Sequence, residues 1–191
     1  MLRHLILVLL LLVFAPVAQA QTFPKLTGRV VDDAALLSPA QEQALTAKLA
    51  ALETQSGRQL VVATLPDLQG YDIADFGYRL GRAWGIGDKA KNNGALLIVA
   101  PSERKIRIEV GYGLEGIMTD ALSSQIIRNT IAPRFKAGDM PGGIDAGVDA
   151  IGKLMTLPPD EARALAAAAA SEARSSSSGG GGSVMLIFWG I

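Results

Sequence analysis

The sequence predicts a layered α/β domain, in which helices cover a short mixed sheet. Three observations carry this. Gln59–Leu65 (QLVVATL) and Ala95–Ala100 are nearly continuous apolar runs of strand length, as expected for strands covered on both faces. Lys105–Val110 (KIRIEV) alternates charged and β-branched residues, with Ile106, Ile108 and Val110 on one face. Between and after these runs lie capped segments with helical apolar spacing.

In chain order, residues 1–20 read as a secretory leader. Arg3 and His4 give a basic start, Leu5–Ala15 is unbroken apolar sequence, and Ala18-Gln19-Ala20 fits small-x-small before cleavage at Gln21. An uncleaved anchor is the alternative; the short apolar core and the cleavage pattern favour a signal. Phe23–Arg29 is an extended lead-in, and Val30-Val31 then reads as an edge strand running into the adjacent carboxylates Asp32 and Asp33. Ser38-Pro39-Ala40-Gln41 supplies an N-cap, a proline at the first helical position and a capping-box glutamine. Leu45, Leu49 and Leu52 mark that helix's apolar face, and Gly57 terminates it.

After QLVVATL, Asp72 caps a second helix with the stripe Ile73, Phe76, Leu80 and Trp84. Gly77 within it costs about 1 kcal/mol relative to alanine unless it permits close packing. Trp84 reads as a core or lid anchor rather than a ligand platform. Asn93-Gly94 is a turn signal opening the hairpin of the third and fourth strands, and the hairpin delivers the chain into Gly111-Tyr112-Gly113-Leu114-Glu115-Gly116. Thr119 then caps a third helix with Asp120 in its first turn. Pro133 ends or kinks that helix, and a last one carries Ile144, Val148, Ile151 and Met155. The stretch Asn92–Asp120 is the expected site edge.

Beyond Pro158-Pro159 the character changes. Residues 160–183 form an alanine-rich and then serine–glycine-rich linker, helical by propensity at first but with little to pack. Residues 184–191 (VMLIFWGI) look like the beginning of a transmembrane helix cut short, since a span needs about 20 apolar residues. An apolar tail on a soluble protein, or a truncated or altered reading frame, is the alternative.

Composition narrows the chemistry. With 18 basic and 18 acidic residues and no basic block, nothing supports nucleic-acid binding. There is no cysteine, and the single histidine, His4, lies in the leader. Serine–histidine triads and zinc sites with histidine or cysteine ligands are therefore excluded from the body of the chain. The carboxylates remain: Asp32, Asp33, Asp75, Asp88, Glu103, Glu109, Glu115, Asp120 and Asp139. Glu115 and Asp120 stand out for their place around the glycine loop. If Asp33 approaches the same side, two or three carboxylates with Asn93 and backbone carbonyls would suit Ca²⁺ or Mg²⁺. Read blandly, Asp120 is a helix-dipole partner, Asp33 a turn residue and Glu109 a solvent-facing strand residue. No Gly-Lys-Ser/Thr follows Gly111, Gly113 and Gly116, so they are not a P-loop, and the dinucleotide spacing also fails. Tyr112 reads either as an exposed contact residue or as packing over the helix below. Arg104, Lys105 and Arg107 form a solvated hairpin, with Arg107 a phosphate contact if it shares an edge with Glu115.

Taken together, Val31-x-Asp33-x-Ala35-x-Leu37-Ser38, QLVVATL, Trp84-Gly85-Ile86-Gly87, Asn93-Gly94-x-Leu96-Leu97 and Arg104-Lys105-x-Arg107 through Gly116, followed by Thr119-Asp120, resemble the TPM domain over about residues 28–155. The layout is similar to bacterial membrane-anchored members, which have a signal peptide, an extracytoplasmic domain, a low-complexity spacer and a transmembrane helix. The resemblance implies an α/β/α sandwich. It also implies a periplasmic or extracellular face of the inner membrane as location, and envelope or membrane proteins as partners. Plant luminal members are acid phosphatases that assist photosystem II turnover, some members bind divalent cations, and most bacterial members have no settled activity. Placed on this chain, the recurring polar positions are Asp33, Asn93, Glu115 and Asp120, the expected ligands of a Ca²⁺ or Mg²⁺ ion. Two functions follow as expectations: a membrane-tethered protein-interaction or membrane-protein maintenance module, and a divalent-metal-dependent acid phosphatase. A purely structural domain would explain the core but not the Gly-Tyr-Gly segment.

Overall fold

The structure, a computed structural model, describes residues 21–177. The expected leader at 1–20 and the apolar end at 184–191 lie outside the described residues. Strand β1 (Val30–Asp32) leads into helix α1 (Pro39–Ser56), followed by β2 (Gln59–Thr64) and α2 (Ile73–Trp84). The hairpin β3 (Gly94–Ala100) and β4 (Lys105–Val110) comes next, then a 3₁₀ turn, Tyr112–Leu114. Helix α3 (Asp120–Ile126) runs through a π turn (Ile127–Ile131) into α4 (Ala132–Lys136), and α5 (Met140–Thr156) and α6 (Pro159–Ser177) complete the described chain.

The caps form where the sequence signals them. Ser38 accepts from the Gln41 amide while the Gln41 side chain accepts from the Ser38 amide, closing the capping box of α1. Asp72 and Thr119 cap α2 and α3, and the left-handed Gly57 and Gly85 end α1 and α2.

The four strands lie in the order β1-β2-β3-β4. The first three are parallel and β4 is antiparallel to β3, so the sheet is mixed, as expected. Every residue of β3 is buried, and its side chains alternate between two cores. Ala95, Leu97 and Val99 join Leu45, Leu49 and Leu52 of α1 and Ile144, Val148 and Ile151 of α5. Leu96, Ile98 and Ala100 join Phe76 and Leu80 of α2 on the other face. That alternation explains why the strand reads as a continuous apolar run.

The face under α2 is thin, and two features complete it. Gly77 lets α2 approach the sheet, because a Cβ there would meet the Ile98 side chain at 2.7 Å. The segment after Gln21 straps across the helix. Phe23 stands edge-on to Phe76 with ring centroids 5.3 Å apart, and the Trp84 indole N–H donates to the Pro24 carbonyl at 2.9 Å. Trp84 is thus an anchor. On the thicker face, Lys48 of α1 reaches Asp145 and Asp149 of α5 at 2.6 and 2.7 Å. Burial alone would lower the pKa of its ammonium, but the two carboxylates outweigh that and hold it above its ordinary value.

Three features differ from the sequence reading. Pro133 does not end the helical run, which continues through α4 to Lys136. Lacking an N–H, it cannot continue the i→i−4 ladder, and the helix widens just before it, with Ala132 donating five residues back to Ile127. The expected linker over 160–183 begins as a packed helix. Ala162, Ala166 and Ala169, spaced at helical intervals, are buried in the core that holds Leu122 and Ile126 of α3. Small side chains let α6 lie close enough to need no larger apolar residue. The expectation of a transmembrane segment is overturned: among the described residues no helix is long and apolar enough to cross a membrane. The last long helix, α6, carries Asp160, Glu161, Arg163, Glu172 and Arg174, charges that a bilayer core would exclude.

Candidate functional site

The sheet has two polar ends, and they are built differently. At the first, Asp32 of β1 pairs in register with Thr64 of β2, at the carboxyl ends of the parallel strands. The Asp32 carboxylate accepts from the amides of Leu36 and Leu37 at 3.0 and 2.8 Å and from the Thr64 hydroxyl. Thr64 is fully buried, and its Oγ1 also accepts from the Ala34 amide at 3.0 Å. Asp32 therefore ties the strand to the start of α1, leaving its neighbour Asp33 exposed.

At the second end, Gln59 of β2 pairs with Gly94 of β3, and Ala95 with Val110 of β4. Here the loop between α2 and β3 meets the loop after β4, backbone against backbone. The Gly111 amide donates to the Gly94 carbonyl at 2.8 Å, and the Gly113 amide to the Asn92 carbonyl at 3.0 Å. A Cβ on Gly113 would overlap the Lys91 carbonyl oxygen, and one on Gly111 the Asn92 carbonyl oxygen. On Gly94 it would lie 2.6 Å from the Ile86 oxygen. These glycines are steric necessities of two loops pressed together, not an anion cradle. The Asp88 turn stiffens the same loop, its carboxylate accepting from the Ala90 and Lys91 amides at 2.9 and 3.0 Å.

Asn93 holds the α2–β3 loop to the end of α1. Its Oδ1 accepts from the Asp88 amide at 2.9 Å and its Nδ2 donates to the Gly57 carbonyl at 2.7 Å. Both ends of the amide are engaged in structure. Glu115, just past the 3₁₀ turn, and Asp120, in the first turn of α3, are both exposed. Asp33 lies at the far end of the sheet. From the Asp32–Thr64 pair to the Gln59–Gly94 pair is five strand steps, roughly 17 Å. The structure therefore does not bring Asp33, Asn93, Glu115 and Asp120 together, and that set does not fit one cation. Among the described residues no group of three or more histidine, cysteine, aspartate or glutamate side chains could hold a metal ion. An ion on Glu115 or Asp120 would take its remaining ligands from carbonyls and water.

What the second end does form is a groove of about 610 Å³. One wall is the last turn of α2 and the loop after it, with Tyr78, Arg82, Asp88 and Lys89; the other is the end of β4 and the turn beyond, with Glu109, Tyr112 and Glu115. Tyr112 is 80% exposed and Tyr78 53%, two of the large apolar side chains that remain outside the core. Arg82 donates to the Tyr78 hydroxyl at 2.9 Å, and its guanidinium carbon lies 5.5 Å from the ring centroid. Of its two readings, Tyr112 is the exposed one and is not packed over a helix. Arg107 does not line the groove. Its guanidinium is paired with Glu109 at 2.6 Å beneath Gly77, so it is not a phosphate contact sharing an edge with Glu115.

Sequence reasoning missed Tyr78, Arg82 and Lys89. The available signal was the pair Tyr78 and Arg82, four residues apart on the side of α2 away from its apolar stripe, where a tyrosine is not needed for packing.

The fold and the site together define a three-layer α/β domain with a groove lined by aromatic and charged side chains at one end of its sheet. Residues 30–154 match the TPM domain, and the chain belongs to that family. The N-terminal domain of a Porphyromonas gingivalis protein, solved by NMR, is 38% identical with a TM-score of 0.63, covering 68% of this chain and 82% of that one. The N-terminal domain of the Corynebacterium glutamicum protein cg2496 is 19% identical (TM-score 0.54, 70% of this chain, 84% of that one). BA42 from the psychrophile Bizionia argentinensis is 21% identical (TM-score 0.55, 62% of this chain, 81% of that one). The last two likenesses show the fold alone. No curated protein matches the chain.

Proposed function

We propose that this TPM domain is an exported polypeptide-recognition module that takes extended segments of envelope proteins into the groove at the Gly111–Glu115 end of its sheet. One observation carries the reading: two exposed tyrosines border a groove of about 610 Å³ whose adjoining loops are pressed together by glycine backbones. Stiff aromatic edges suit a ligand with apolar side chains and an open backbone. Export is supported by the leader-like sequence at 1–20, and the absence of histidine and cysteine from the rest of the chain favours binding over acid–base or thiol chemistry.

The test is binding of a randomised peptide library by the full chain and by Tyr112→Ala. The wild-type chain should retain a subset of peptides, and Tyr112→Ala should weaken their binding about tenfold, the range expected for an aromatic anchor. Retention of the same peptides with equal affinity would remove the groove from the function.

A further inference from the structure

We propose that the segment recognised by this groove is a polypeptide's carboxyl terminus, with its α-carboxylate held by Arg82 and Lys89; this rests on the recognition reading above. What points to a carboxylate is which polar side chains around the groove are already engaged and which are open. Glu109 is paired with Arg107 at 2.6 Å. The Asp88 carboxylate caps its own turn through the Ala90 and Lys91 amides. Neither Arg82 nor Lys89 forms an ion pair within the described residues, and both are exposed. Arg82 has a single hydrogen bond to a side chain, to the Tyr78 hydroxyl, which leaves most of its planar donor set available. A guanidinium with open donors suits a carboxylate, and an ammonium nearby adds a second positive charge.

The same groove is lined by three carboxylates, Asp88, Glu109 and Glu115. An acidic stretch or a phosphate dianion would bring several negative charges against them, at a Coulombic cost that rises as water leaves. A single negative charge at one end of an otherwise neutral segment avoids that cost. A chain terminus is such a ligand. Its carboxylate meets the α2 wall, its last side chains lie against Tyr78 and Tyr112, and Glu115 on the opposite wall faces backbone N–H groups or a basic side chain further back.

The test uses dye-labelled short peptides rich in aromatic and aliphatic residues, each made twice: once with a free carboxyl terminus and once as the carboxamide. Binding to the full chain is read by fluorescence anisotropy. The free acids should bind about tenfold more tightly than the carboxamides, as expected for loss of a charge-assisted contact. Arg82→Gln and, separately, Lys89→Gln should shrink that ratio towards one by weakening the free acids more than the carboxamides. Both positions are on the surface, so both variants should fold. Equal affinity for acid and carboxamide would overturn the terminus proposal and leave the recognition module standing. Tighter binding of peptides with several internal acidic residues would overturn it in favour of an acidic segment. No binding of either series, with no retention from the random library, would overturn the recognition reading as well.

Discussion

The two ends of the sheet show opposite uses of polar chemistry. At the Asp32–Thr64 end, the carboxylate and hydroxyl turn inward and satisfy the amides of Ala34, Leu36 and Leu37. At the Gly94–Gly111 end, the two loops meet through direct backbone bonds from Gly111 and Gly113, Asn93 and Asp88 brace only the α2–β3 loop, and the side chains of Arg82, Lys89, Tyr112 and Glu115 are exposed. An end whose side chains hold the fold has few left for a ligand. An end held by glycine backbones leaves them available, and that difference places the candidate site.

The comparison breaks most directly at Gly113. A Cβ there has to displace the backbone around the Lys91 carbonyl, which no side-chain rotation can relieve. Gly113→Ala should destabilise the chain by about 3 kcal/mol, at the upper end of overpacking costs. Gly116→Ala, where a Cβ would have open space around it, should stay within about 0.5 kcal/mol. Urea denaturation of the two variants checks the pair. A small effect at Gly113 would mean that the loops are not pressed together as described.

The contrast between Asp32 and Asp33 sharpens the other end. Asp32→Ala leaves the Leu36 and Leu37 amides and the Thr64 hydroxyl without their acceptor, and should cost about 2 kcal/mol. Asp33→Ala removes an exposed side chain and should change stability by less than about 0.5 kcal/mol. Denaturation midpoints measured side by side decide it. Equal effects would show that the Asp32 carboxylate does not organise the turn.

These neighbours also show how far the sequence could be read. Strands, caps and helix faces were legible because periodicity and capping are local: QLVVATL, Ser38 with Gln41, and Thr119 needed only their own neighbours. Gly77 was legible as an alternative, since a glycine inside a helix either costs stability or allows approach. The roles of Asp32 and Asp33 were not, because they depend on Thr64, a residue of the next strand. Arg107 reads as a solvated hairpin residue, and as a phosphate contact only on an edge shared with Glu115; its pairing with Glu109, two residues away on the same strand face, is not visible from that pattern. The alanine stripe of α6 carried too little hydrophobicity to announce a buried face, although its spacing was present. Tyr78 and Lys89 join the glycine loop only through the meeting of two loops, and no window of sequence contains both walls of the groove. The transmembrane expectation came from a reading of residues 184–191, not from any described helix.

The smallest effect expected is a null one, and it tests the separation of the two ends. Of the four residues read together as cation ligands, Asp33 lies at the end of the sheet about 17 Å from the end that holds Asn93 and Glu115, so Asp33 and Glu115 cannot share an ion. In a calorimetric Ca²⁺ titration of the full chain, Asp33→Asn should leave any heat of binding as it is in the wild type. Glu115→Gln should alter only what Glu115 itself contributes. The double variant should then equal the sum of the singles, with a coupling below about 0.5 kcal/mol, as for sites with no shared partner. A larger coupling would require Asp33 and Glu115 to approach one ion, which the strand register forbids unless β1 leaves β2. Such a result would reverse the assignment of the two ends, making the Asp32 turn part of a ligand site rather than a fastening of the sheet to α1.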